Sequence, residues 1–81
     1  MVYVVTTDWY TEEEGYKIEV ACVTHDERVA YEAFERETVN CSRAFSEYPE
    51  WAIIDDEPDL YFLAGTKPEY CRVKMHMEVM Q

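Results

Sequence analysis

The chain has 81 residues, 48% of them hydrophobic and 15% aromatic, with eighteen acidic residues against seven basic ones and a formal net charge of −11. That length sets one domain with a modest core, and the aromatic content excludes a disordered acidic tail. The sign of the charge excludes direct binding to nucleic acid or to an anionic membrane surface, since both need clustered Lys and Arg.

Residues 2–9 read as a strand of β-branched and aromatic residues, apolar on both faces in its first half and therefore expected in the interior of a sheet. Tyr10 to Gly15 is expected to be a hairpin connection closed by Gly15, which tolerates positive φ. Residues 16–23 form a second strand, with Tyr16, Ile18, Val20 and Cys22 on one face and Lys17, Glu19, Ala21 and Val23 on the other. Thr24 and Glu27 have the spacing of a capping box, which predicts a helix over 25–38 with Val29, Ala30, Ala33 and Phe34 inward and a Glu32–Arg36 pair outward. Between 39 and 50, Ser42 is expected to cap a short turn and Pro49 to end it. Trp51–Ile54 reads as a short strand broken by the acids after it, and 60–64 as another. Cys71, Val73, Met75, Met77 and Val79 alternate with Arg72, Lys74, His76 and Glu78, which predicts a half-buried strand over 70–80. The expected fold is α+β, an antiparallel sheet of four to five strands with one main helix packed on one face.

Two acidic segments stand out. Glu12, Glu13 and Glu14 occupy the hairpin tip, as a solubilising turn or as a contact for a basic surface. The run from 47 to 59 carries Glu47, Glu50, Asp55, Asp56, Glu57 and Asp59 with no base. It lacks the Asp-x-Asp-x-Asp-Gly order and distal Glu of a calcium loop, so it reads as a solvated turn or a binding edge, and no metal is expected there. Tyr10 and Trp51 flank these segments and are the nominated anchors beside them, because Tyr and Trp carry much interface energy. The one basic cluster, Arg72, Lys74 and His76, is expected to pair with acids on a neighbouring strand such as Glu19.

Catalysis finds little support. His25 and His76 have no ligand-spaced neighbours for zinc, no nucleophile motif is present, and two glycines are too few for a phosphate loop. The expectation is a protein that is not an enzyme and carries no cofactor. Cys22, Cys41 and Cys71 form no C-x-x-C pair and are expected to be reduced thiols, with a disulfide between two of them, or one across a dimer, as the second reading. With neither a leader-like start nor an 18-residue apolar run, the expected location is the cytoplasm, that of a host if a phage encodes the chain.

Val2-Tyr3-Val4-Val5-Thr6, the acidic hairpin from Glu12 to Tyr16, Val23-Thr24 and the Ala- and Glu-rich stretch from Glu27 to Glu37 resemble the opening of a group of small, mostly uncharacterised phage and bacterial proteins. In size and charge the chain is also similar to phage-encoded inhibitors of host defence or DNA-processing enzymes, including anti-CRISPR proteins and DNA mimics. That likeness implies a partner with a basic, nucleic-acid-binding surface and carries over no functional residue; it is the charge distribution that nominates the two acidic segments as the contact. The second reading is a structural or regulatory domain that forms a homodimer through a sheet edge, most simply the last strand. Acids gathered on one face of the fold favour the first reading, and acids spread evenly favour the second.

Overall fold

A computed structural model of the chain describes residues 1–44, 52–57, 59–64 and 69–79, with 52–57 described by backbone alone. The elements are β1 (Val2–Thr11), β2 (Gly15–Thr24), α1 (Glu27–Ala44), β3 (Ala52–Glu57), β4 (Leu60–Ala64) and β5 (Tyr70–Glu78). The five strands form one antiparallel sheet in the order β2-β1-β5-β4-β3, and α1 lies on one face of it. This is the expected α+β fold.

β1 is interior, as its two apolar faces require, and β5 is interior beside it. The last strand is therefore not a sheet edge, although among the described residues its end, 76–78, has a strand partner on the β1 side alone. β1 pairs along all of it and β4 along Tyr70–Lys74, and the sheet edges are β2 and β3. Alternation along the central strands sends Tyr3, Val5, Cys71, Val73 and Met75 towards the helix, where they join Ala30, Ala33, Phe34, Cys41, Tyr61 and Leu63 in one core. Met77, next in the same alternation, is exposed.

The helix begins two residues later than the capping box places it and runs six residues further than the spacing predicts. Asp26 is the cap, its Oδ1 accepting from the Arg28 and Val29 amides at 2.9 and 3.4 Å, while Thr24 Oγ1 accepts from the Asp26 amide at 3.1 Å. Ser42 caps nothing separate, because Cys41 is buried on the same inward face and the turn simply continues to Ala44. Val29, expected inward, is exposed; the surface ion pair is Arg28–Glu32 at 3.3 Å rather than Glu32–Arg36.

Two strands differ from expectation through a shift of register. Val5 pairs with Cys22 but Thr6 pairs with Val20, so Ala21 is the extra residue of a bulge. The bulge returns Cys22 to the core side and turns Val23 outward, reversing the faces expected for both. β3 is not broken by its acids. After a shift between Ile53 and Asp55, Asp55, Asp56 and Glu57 pair with Phe62, Tyr61 and Leu60. A neighbouring strand of good β-formers outweighs the weak strand preference of Asp and Glu.

The cysteines depart furthest. Cys41 of α1 and Cys71 of β5 are joined by a disulfide, with Cα atoms 6.4 Å apart, and Cys22 is the free thiol. The expected reduced state fails for these two because the helix extension sets Cys41 directly over the sheet face that carries Cys71. No described helix is long and apolar enough to cross a membrane.

Candidate functional site

The β1–β2 hairpin projects Glu12, Glu13 and Glu14 into solvent. Gly15 closes the turn at φ 78°, and Thr11 Oγ1 accepts from the Glu14 amide at 3.1 Å. The Glu12 amide donates to Glu69 Oε2 at 3.0 Å. Glu69 precedes β5, which pairs with β1, so the sheet brings a fourth carboxylate to the tip across a separation of 57 residues. Sequence reading missed Glu69, since nothing local shows that 69 and 12 share one end of the sheet.

Behind the tip, Tyr16, Tyr10 and Tyr70 are register partners across β2, β1 and β5. They lie on the sheet face away from α1, because Tyr10 alternates with Trp9 and Tyr70 with Cys71, both of which pack towards the core. Phe62 packs against Tyr70 with ring centroids 5.7 Å apart, and the Arg72 guanidinium sits 5.8 Å from the Tyr70 ring centre. Tyr10, nominated beside the acids, is thus one member of an aromatic row.

A buried ion pair anchors that row. Asp8 is 2% exposed. Its Oδ1 accepts from Arg72 Nε at 3.0 Å, and its Oδ2 accepts from Arg72 Nη2 at 2.8 Å and from the Tyr70 hydroxyl at 3.2 Å. Arg72 therefore pairs with Asp8, not Glu19: Asp8 and Arg72 are register partners on the open face, whereas Glu19 pairs with Thr7 on the helix side. The hydrogen bond with Asp8 holds Arg72 protonated beyond its ordinary range. The visible signal was a lone Asp inside an apolar strand, a residue that strands tolerate only when its charge is answered.

Burial, then the Asp8 charge, raises the Tyr70 hydroxyl above its usual value near 10; burial, then Glu27, raises Tyr3. Above about pH 10 the unfolded chain loses these protons before the folded one does, so the fold holds more protons and stability falls as pH rises. Thermal unfolding across the alkaline range is expected to show this loss, with a shallower slope in Tyr70→Phe; equal slopes would remove Tyr70 as a cause.

The other nominated residues do not join this end. Asp59 is an exposed turn residue whose carbonyl accepts from the Met75 amide, level with Val5 near the middle of β1. Asp55, Asp56 and Glu57 lie on edge strand β3, three strand positions from β1. At about 4.8 Å per strand and 3.3 Å per residue, that segment is roughly 20 Å from the tip. Two groups so spaced act as separate charges, because the screening length is about 8 Å in physiological salt. Glu47, Glu50 and Trp51 lie outside the described residues.

A groove of about 240 Å³ runs between the end of α1 and the sheet, lined by Thr7, Trp9, Glu19, Glu37 and the Cys41–Cys71 bridge. It is below the size usual for small-molecule sites. Among the described residues no group of three or more His, Cys, Asp or Glu is placed to hold a metal. The arrangement is that of an α+β domain with an acidic end and an aromatic face. No protein-family model, curated protein or solved structure matches the chain.

Proposed function

We propose that the protein is a non-catalytic binding domain whose acidic end, Glu12, Glu13, Glu14 and Glu69 with Tyr16, Tyr10 and Tyr70 behind them, engages a basic protein surface. The observation that carries the reading is the convergence of four carboxylates from two connections at one end of the sheet, backed by the tyrosine row. Carboxylates so placed suit the Arg and Lys of a nucleic-acid-binding surface, and tyrosines supply anchors of low entropic cost. Together with the chain's size and charge, this supports an inhibitor of the kind phages direct at host defence or DNA-processing proteins. The spacing between tip and β3 supports one compact contact rather than a ladder of acids along the whole domain. A reducing cytoplasm remains the proposed location, although the Cys41–Cys71 bridge is a feature commoner in oxidising surroundings.

The test uses immobilised protein and the heparin-retained fraction of a bacterial lysate. Retained proteins are expected to be basic nucleic-acid binders, to elute as salt rises and to be displaced by duplex DNA. Retention indifferent to both salt and DNA overturns the reading.

A further inference from the structure

β2 is an edge strand whose apolar row faces water. Tyr16, Ile18 and Val20 are 55%, 61% and 63% exposed on the sheet face opposite α1. Among the described residues no strand pairs with its outer side. This is unusual in a chain of such charge, and the face around it is balanced: Asp8 and Glu78 against Arg72 and Lys74. An edge of this kind is a template for another strand unless a charge blocks it. Here Lys17 is the charge that would block it, and Glu19 stands two residues away on the same side.

We infer that the outer edge of β2 pairs with β2 of a second copy of this chain, antiparallel, about a two-fold axis through Ile18. In that register Ile18 faces Ile18 of the second copy once, on the axis, while Tyr16 faces Val20 and Lys17 faces Glu19, each of these two pairs occurring twice by symmetry. The segment Tyr16-Lys17-Ile18-Glu19-Val20 is thus complementary to itself. Aromatic and β-branched pairs form on the open face and opposite charges on the helix face, the combinations that stabilise antiparallel neighbours. Moving the axis one residue either way sets Lys17 against Lys17 or Glu19 against Glu19, so the charges select one register. The bulge at Ala21 ends the pairing on one side and the hairpin turn on the other. The two sheets become one of ten strands, five from each copy, with both helices on the same side. The two acidic tips then lie roughly 30 Å apart, at about 3.3 Å per residue, far beyond the screening length. The net charge of −11 on each copy does not forbid the contact.

Sedimentation of the full chain over a concentration series tests this. The wild type is expected to dimerise. Glu19→Lys and Lys17→Glu should each raise the dissociation constant about tenfold, and the double swap Lys17→Glu/Glu19→Lys should restore it. Net charge makes the opposite forecast for one of these: Glu19→Lys lowers it from −11 to −9 and would favour association if overall repulsion were in control. Both side chains are exposed, so an unchanged melting temperature, read at a dilution where the wild type is monomeric, certifies the fold of each variant. A strictly monomeric wild type overturns the inference, and so do single and double variants that associate alike.

Discussion

Arg72→Ala is expected to destabilise the fold by about 3–5 kcal/mol, the loss usual when one partner of a buried pair is removed. The Asp8 side chain, 3% exposed in the native protein, loses both guanidinium bonds and keeps only the Tyr70 hydroxyl. Against a total of roughly 4–12 kcal/mol for a domain of this length, that is enough to bring the variant close to unfolding. Asp8→Ala is expected to cost less, about 1.5–3 kcal/mol, because the Arg72 side chain it strands is 35% exposed and can turn to water. The double variant should be markedly more stable than the sum of the two losses implies, since it removes both charges together. Urea unfolding of the three variants reads this directly. Equal losses for the two single variants, summing in the double, would mean that the pair is not coupled and that the open face is held by packing alone.

The second large effect belongs to the covalent bridge. Cys41 and Cys71 are 30 residues apart, and closing a loop of that length removes about 3.6 kcal/mol of denatured-state entropy in the chain-entropy picture. Reduction, or replacement of both cysteines by alanine, is expected to lower the melting temperature by about 15 °C or more, at some 4–8 °C per kcal/mol for a domain of this size. In the native protein one thiol, Cys22, should react with a maleimide, and all three after reduction and unfolding. Three reactive thiols without reduction, with no change in melting temperature on adding reductant, would contradict the bridge. The size of this term also bears on location, since a domain that leans on a disulfide for a third or more of its stability is weakened by a reducing compartment.

The fold was legible where periodicity is local. The apolar first half of β1, the closing Gly15, the run 60–64 and the alternation along β5 all lead to elements that exist, and the two-sided apolar character of β1 points to its interior place. What was not legible depends on neighbours. The bulge at Ala21 sets Cys22 on the core side while Val20 stays on the open face, and no pattern within β2 announces it. β3 keeps its acids in strand because Tyr61 and Phe62 of β4 lie beside them. α1 runs on to Ala44 and so carries Cys41 to Cys71, a pairing that no local spacing announces.

The site follows the same division. Glu12, Glu13 and Glu14 were readable as a hairpin tip, and Tyr10 as an aromatic next to it. Glu69 and Tyr70 were not, because they enter only once β5 is known to lie beside β1, and Tyr16 enters with the hairpin register that sets it opposite Tyr10. Arg72, Lys74 and His76 were visible as one polar face, but composition could not show that Arg72 would be taken by Asp8 while His76 pairs along its own strand with Glu78 at 3.3 Å. The same knowledge separates the acids of 55–59 from the tip. The excess of acid is therefore better described as an acidic end plus a second, independent charged edge than as one acidic face.

A comparison of two charge reversals of equal size tests the acidic end as the binding surface. One variant carries Glu12, Glu13 and Glu14 changed to Lys; the other carries Glu32, Glu35 and Asp59 changed to Lys, all exposed and away from the tip. Both move the net charge from −11 to −5, six units for three reversals. Retention of the heparin-fraction proteins on immobilised variant is the measurement. Loss of retention in the tip variant alone is the predicted result. Equal loss in both, which would make net charge rather than the tip responsible, would contradict it.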